Sequence, residues 1–154
     1  MSAVEERLAS LGLTLPEVAV PVAAYVPAVL DGRHVYTSGQ LPVVAGKLAG
    51  EGLVGDTVST EQAYELARIC VLNGLAAIKS LIGDLDKVTQ VVKVVGFVAS
   101  ADCFTGQPAV INGASELLAQ VFGDKGAHAR SAVGVAQLPL GAPVEVEVMV
   151  AIEQ

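Results

Sequence analysis

The sequence of 154 residues has no tryptophan, two cysteines and two histidines. Two cysteines are too few for the disulfide framework of a small secreted domain, so we expect a cytoplasmic protein. The histidines, His34 and His128, lie far apart and lack the spacing of metal ligands, so we expect no metal site. Residues 1–13 lack the apolar core of a secretory signal.

Charge is also scarce, at 16% of residues, and the formal net charge is -7. The nine lysines and arginines are scattered, which argues against binding to nucleic acid or to a membrane surface. No segment reaches the roughly 20 apolar residues of a membrane-spanning helix. Because 53% of the residues are hydrophobic, we expect part of the surface to meet a partner or further copies of the chain.

Local patterns predict the order of the elements, and neither repeats nor linkers interrupt the chain, so we predict a single domain over residues 1–154. A capping box at Ser59 and a glycine at Gly83 mark the ends of the first long helix. The predicted elements are a short helix over 4–11, a connector over 13–21, strands over 22–30 and 34–38, a largely irregular stretch over 41–55, the helix over 60–82, a strand over 88–99, a helix from about Pro108 to Gly123, and strands over 131–136 and 144–152.

This order predicts an α+β fold, with a mixed sheet of five to six strands and two helices on one face. The last strand alternates valines with Glu145 and Glu147, so its valine face suits the covered side. The strand over 91–98 is apolar on both faces. Its second face must also be buried, which self-association with closed cyclic symmetry would achieve.

Two charged residues are the candidates for chemistry. Arg130 enters a strand in an apolar context; it is either a solvated charge at a strand end or a guanidinium that holds a carboxylate. Glu145 is either an exposed strand acid or the border of a cleft between subunits, where it handles protons or water. The thiols are less promising: Cys70 is expected in the core, and Cys103 lies in a loop without a base nearby in sequence.

Tyr25 is followed by the run Val35-Tyr36-Thr37-Ser38-Gly39-Gln40-Leu41-Pro42, and the end of the chain contains Ala129-Arg130-Ser131, Val135-Ala136 with Leu138-Pro139, and Val144-Glu145-Val146-Glu147. Taken together, these features resemble the RidA/YjgF family of reactive intermediate deaminases. The resemblance runs from about Pro21 to Ile152.

The resemblance implies a chorismate-mutase-like fold and a homotrimer with clefts between subunits. It also implies hydrolysis of reactive enamine and imine intermediates, such as 2-aminoacrylate, to 2-keto acids and ammonia, without a cofactor. Small carboxylate-bearing imines are thus the expected ligands. A trimer that binds small carboxylates or keto acids without turnover is the alternative. An endoribonuclease, a name that some family members carry, is disfavoured by the acidic charge.

The resemblance also assigns residues. Arg130 corresponds to the arginine that grips the substrate carboxylate, and Glu145 to the glutamate that places the attacking water. Tyr25, Gly39 and Asn112 correspond to residues that line the cleft. Without the resemblance, Tyr25 could simply pack on a neighbouring side chain, Gly39 could be a turn glycine and Asn112 a first-turn helix residue bonded to backbone.

Three features depart from the family pattern. His128 stands where the family often has proline, and it is either a spectator or a residue that alters the polarity and pH response of the cleft. Residues 1–20 form an N-terminal extension, and the loop over 100–107 is longer than in well-known members. Both could reshape substrate access.

Overall fold

The computed structural model describes residues 1–21 and 23–154. Within these ranges a five-stranded mixed sheet has two long helices on one face. The helices are α1 (Ala3–Ser10), α2 (Thr60–Ile82) and α3 (Gln107–Phe122), and the strands are β1 (Ala28–Asp31), β2 (His34–Thr37), β3 (Val43–Val44), β4 (Lys47–Leu48), β5 (Val88–Ala99), β6 (Ala129–Val135) and β7 (Val144–Ile152). The predicted fold class is confirmed.

The sheet has the strand order β1-β2-β7-β5-β6, and β3 and β4 form a separate small hairpin. Neighbouring strands of the sheet are antiparallel except for β5 and β6, which run parallel with α3 between them in the chain. A parallel pair needs such a long crossover, and a helix usually supplies it. The arrangement leaves β6 as an edge strand, and β6 carries Arg130.

The two long helices begin and end as predicted from local sequence. The Ser59 hydroxyl accepts a hydrogen bond from the Gln62 backbone N–H, and the Gln62 side chain accepts one from the Ser59 N–H. These two bonds satisfy N–H groups that the first turn of α2 cannot pair. The glycines at the ends, Gly83 and Gly123, both have positive φ, which other residues rarely adopt.

Two glycines permit α3 to pack closely against its neighbours. A Cβ on Gly96 of β5 would lie 2.4 Å from the Ile111 side chain, and one on Gly113 would lie 2.1 Å from the Tyr64 carbonyl oxygen of α2. A larger residue would require the Ile111 side chain to move at Gly96 and the backbone to move at Gly113. The position of α3 against β5 and α2, and therefore the position of Asn112, depends on these glycines.

Three predicted segments differ in extent from those observed. The expected strand over 22–30 is shorter: Val22 lies outside the described residues, and β1 begins directly after Pro27, which has no N–H to donate. The irregular stretch over 41–55 contains the hairpin of β3 and β4. The strand expected from residue 131 begins at Ala129, because pairing with β5 starts at Lys93. Arg130 is thus within the strand.

The N-terminal segment is attached to the rest of the protein at several points. Val4 and Leu8 are buried in the same hydrophobic cluster as the long helices. The Asp86 carboxylate accepts hydrogen bonds from the backbone N–H groups of Ala3 and Val4, which hold its pKa below the usual carboxyl value. Arg7 donates to the carbonyl of Val121. Among the described helices, none is long and apolar enough to cross a membrane.

The face of the sheet away from the long helices, here called the open face, is largely apolar and uncovered in the single chain. Because side chains alternate between the two faces along each strand, every second residue of a strand lies on the open face. Tyr36 and Val133 are each 45% exposed. The open face includes the side chains of Tyr36, Lys93, Val95, Phe97, Ser131, Val133, Glu145, Glu147 and Met149.

Candidate functional site

Arg130 is held by α3. Its Nη1 donates to Oδ1 of Asn112 at 2.8 Å and to Oγ of Ser115 at 3.2 Å, and its Nη2 makes a longer contact of 3.5 Å with the carbonyl oxygen of Pro108. Asn112 and Ser115 are three residues apart and therefore share one face of the helix. The helix thus fixes the plane of the guanidinium before any ligand arrives.

The guanidinium retains donors that no described residue occupies. Nη1 has two acceptors and Nη2 has one, whereas Nε has none among residues 1–21 and 23–154. Nε–H and its neighbouring Nη2–H form one edge of the fork, which matches the two oxygens of a carboxylate. The ion pairs of the described chain, Arg68–Glu65 and Lys79–Glu5, do not involve Arg130. The side chain can therefore receive an external carboxylate.

His128 extends this set of hydrogen bonds. Its Nδ1 lies 2.6 Å from the carbonyl oxygen of Gly126, and its Nε2 lies 2.8 Å from Oγ of Ser115. A carbonyl oxygen only accepts, so we assign the hydrogen to Nδ1. In the neutral ring, Nε2 is then the acceptor for the Ser115 hydroxyl hydrogen. Arg130, Asn112, Ser115 and His128 are called the Arg130 cluster below.

Glu145 lies on the open face of β7, between Val144 and Val146, which are both buried under the helices. The carboxyl group is about half buried, and loss of solvent raises its pKa, with a further contribution from the nearby charge of Glu147. A Cβ on Gly39 would lie 2.2 Å from Oε1 of Glu145. Glycine at this position therefore leaves room for the carboxylate.

Glu145 and Gly39 share a small cavity of about 60 Å³ with Tyr25. The cavity also contacts the N-terminal segment, because Ala19 to Pro21 form part of its wall, together with Pro27, Gln40, Leu41, Val43 and Pro139. Tyr25 itself is 45% exposed. The structure thus brings Tyr25, Gly39 and Glu145 together, and the wall of this cavity includes the end of the predicted extension.

Arg130 and Glu145 do not meet within one chain. Arg130 pairs with Val94 of β5, and Glu145 pairs with Phe97 on the other side of that strand. Arg130 turns toward α3, on the covered face, while Glu145 is on the open face. The predicted residues therefore form two groups in the single chain, Arg130 with Asn112 and Glu145 with Tyr25 and Gly39.

Sequence reasoning missed Ser115. It left open whether His128 is a spectator or alters the polarity and pH response of the cleft. The available signal for Ser115 was its position three residues after Asn112 on the same helix face. The contact between Ser115 and His128 has no local signature, because it depends on how α3 meets the turn before β6. Cys70 is buried as predicted, and burial raises its pKa, whereas Cys103 is exposed.

A sequence model of the family described as "YjgF/chorismate mutase-like, putative endoribonuclease" matches residues 5–151. Protein TCP17 of Trypanosoma cruzi is 44% identical over 150 residues, which are 96% of this chain and 92% of that protein. A crystal structure of a protein of unknown function from Agrobacterium tumefaciens is 48% identical, with a TM-score of 0.92, covering 98% of this chain and 93% of that one.

A third relative is more distant in sequence and structure. TdcF of E. coli, in a crystal structure with bound serine, is 27% identical with a TM-score of 0.62, over 90% of this chain and 94% of that one. The mixed sheet with two helices on one face is thus the YjgF/chorismate-mutase-like fold. The chain belongs to the YjgF/L-PSP family, as the sequence resemblance predicted.

Proposed function

We propose that this protein hydrolyses small enamine and imine intermediates that carry a carboxylate, such as 2-aminoacrylate and its imine tautomer, to 2-keto acids and ammonia. The observation that carries the proposal is Arg130. Its guanidinium is oriented by Asn112 and Ser115, has no carboxylate partner among the described residues, and retains an Nε–H that none of them accepts. The edge formed by Nε–H and the adjacent Nη2–H fits the carboxylate of a small acid.

The bound serine of TdcF supports this ligand class. Serine carries a carboxylate and a nitrogen on the adjacent carbon, as the proposed imine substrates do. An anchor at the carboxylate fixes the neighbouring imine carbon in space, so that part of the entropic cost of reaction is met by binding. In this proposal Arg130 is a substrate-binding residue, and Asn112 holds it in place.

Glu145 is the proposed base. Its raised pKa brings the carboxyl group closer to neutral pH, where a general base works best. With the imine nitrogen protonated, ionised Glu145 takes a proton from water as the oxygen adds to the carbon, which gives a carbinolamine with –OH and –NH2 on one carbon. Glu145 then returns this proton to the nitrogen. As the C–N bond breaks and ammonia leaves, the hydroxyl proton passes to the Glu145 carboxylate and the keto group forms. Tyr25 and Gly39 shape the space around the acid.

For Arg130 and Glu145 to act on one ligand, as proposed, a second copy of the chain is needed. They lie on opposite faces of one sheet, but Arg130 is on the edge strand β6 and Glu145 is on the open face. We propose a homotrimer in which the β6 edge of one subunit meets the open face of the next, so that each cleft takes Arg130 from one and Glu145 from the other. The largely apolar open face would be covered by this contact.

The test of the anchor is Arg130→Ala. Loss of a bidentate, charge-assisted anchor predicts at least about a 100-fold lower rate of 2-aminoacrylate hydrolysis. The rate is measured as ammonia and pyruvate released in an assay coupled to a serine dehydratase, with spontaneous hydrolysis subtracted. Arg33→Ala, which removes an exposed arginine from the β1–β2 turn, is the matched control. Normal hydrolysis by Arg130→Ala would contradict the assignment.

Serine bound to TdcF also favours a second candidate, a trimer that binds small carboxylates without turnover. Pyruvate binding that depends on Arg130, without ammonia release above the spontaneous rate, would support this alternative.

Family and neighbour descriptions also include the term endoribonuclease. The net charge of -7 argues against RNA binding. RNA cleavage that persists through purification and disappears in Arg130→Ala would support an endoribonuclease activity instead.

A further inference from the structure

We propose that Ser115 and His128 are positioning residues for Arg130: neutral His128 orients the Ser115 hydroxyl, and Ser115 in turn holds Nη1 so that the Nε edge faces the ligand. The inference rests on the proposed role of Arg130 as a carboxylate anchor and adds a requirement for this pair. The observation behind it is the continuous series of hydrogen bonds from Gly126 through His128 and Ser115 to Arg130.

The direction of each bond follows from its donors and acceptors. The Gly126 carbonyl accepts from Nδ1 of His128, which leaves Nε2 as an acceptor in the neutral ring. Ser115 therefore donates its hydroxyl hydrogen to Nε2 at 2.8 Å. Its oxygen lone pairs are then available to Nη1 of Arg130 at 3.2 Å. In the other tautomer, Nε2–H would point at Ser115, and the unprotonated Nδ1 would face the Gly126 carbonyl oxygen with no hydrogen between them.

Ser115 and Asn112 both accept hydrogen bonds from Nη1. A guanidinium held only by Asn112 could rotate and present its Nη1–Nη2 edge instead, or swing away from α3. Both acceptors and the Pro108 carbonyl belong to α3, so the guanidinium is held from one side only. The Ser115–His128 pair thus determines which edge of Arg130 a carboxylate meets, without contacting the ligand itself.

The first measurement needs no variant. At pH 7.5, 15N-detected histidine spectra of the wild-type protein are expected to show His128 as the Nδ1–H tautomer. The chain has only two histidines, so the signal that disappears in His128→Gln identifies the residue. A protonated Nε2 with a bare Nδ1 would overturn the proposal, because Ser115 could not then donate to the ring.

The second measurement is pyruvate affinity, followed by titration in NMR or calorimetry. Ser115→Ala removes one of the two hydrogen bonds that hold Nη1, so affinity is expected to fall about three- to tenfold. Ser115→Thr keeps the hydroxyl and is expected to restore most of the affinity. His128→Phe should weaken binding as Ser115→Ala does, whereas His128→Gln, which keeps an acceptor, should weaken it less. Thermal melts of every variant identify losses that arise from unfolding alone.

The outcomes separate this proposal from the one on which it rests. If Arg130→Ala weakens pyruvate binding and Ser115→Ala does not, the positioning role is wrong and the anchor stands. If Arg130→Ala has no effect on pyruvate binding, the anchor is wrong and the positioning role fails with it. Weakened binding in both, with recovery in Ser115→Thr, supports the inference.

Discussion

At the scale of single residues, the environment of Arg130 differs from that of an ordinary surface cation. Surface ion pairs contribute little to stability, and most exposed lysines and arginines are free to reorient. Arg130 is instead only partly exposed and is held by Asn112 and Ser115. The arrangement orients a charge without neutralising it, as a binding site for a small anion requires.

Glu145→Gln tests the proposed base at the same scale. The amide has nearly the same shape but cannot take a proton from water, so we expect hydrolysis to fall about 100-fold or more. The folded state should persist, because Glu145 makes no ion pair in the described chain. Imine hydrolysis and the thermal melt are measured together. Hydrolysis near the wild-type rate would show that Glu145 is not the base.

Glu147→Gln predicts a change in pH dependence. The Glu147 charge contributes to the raised pKa of Glu145, so its removal should lower that pKa. Because ionised Glu145 is the active form, the rate should reach its plateau at a lower pH than in the wild type. The pH profile of kcat is the measurement. An acidic limb that stays in place or moves to higher pH would contradict the proposed link between the two carboxylates.

At the scale of elements, the sequence was sufficient for most of the fold. The capping box at Ser59, the valine alternation of β7 and the helical stripe of α3 are local signals, and each predicted its element correctly. The start of β6 was misplaced because it depends on pairing with Lys93, which is distant in sequence. The β3–β4 hairpin was largely missed because each of its strands has two residues, too few for a periodic pattern.

The candidate site was less predictable than the fold. Local pattern singled out Arg130 and Glu145 as charged residues in apolar strands, whereas Tyr25, Gly39 and Asn112 came from the family resemblance. Neither route placed Arg130 and Glu145 on opposite faces of the sheet. That arrangement depends on the parallel pairing of β6 and on its contact with α3, which are long-range features.

The two long helices offer a matched test of packing, with one buried glycine in each. A Cβ at Gly113 would lie 2.1 Å from the Tyr64 carbonyl oxygen, so Gly113→Ala should lower the free energy of unfolding by about 1–3 kcal/mol. A Cβ at Gly74 of α2 would make ordinary contacts, the nearest at 3.7 Å with Val148. Gly74→Ala should be neutral or stabilise by up to about 1 kcal/mol through helix propensity.

Denaturant unfolding of both variants checks this prediction. The sign of the difference between them matters more than either value, since both substitutions add one methyl group to a buried helical position. Equal stabilities would mean that α2 and α3 can separate without cost. Such freedom would also remove the basis for a fixed position of Asn112 and Arg130.

At the scale of the whole molecule, the single chain has the residues of the proposed site but does not bring them together. The edge strand β6 presents Arg130, and the open face presents Glu145 beside an apolar surface that includes Tyr36 and Val133. A cyclic assembly brings an edge of one copy to a face of the next and repeats the contact until the ring closes. The proposed catalysis therefore depends on the assembly.

The most direct test is complementation between Arg130→Ala and Glu145→Gln subunits, refolded together in equal amounts. If each cleft takes Arg130 and Glu145 from different subunits, every mixed trimer contains one intact cleft, and the mixture should recover about a quarter of wild-type imine hydrolysis. A mixture of Arg130→Ala with the double variant Arg130→Ala/Glu145→Gln, the control, should recover nothing. If mixed trimers are present by native mass spectrometry and the first mixture stays as inactive as the separate variants, the shared cleft is contradicted.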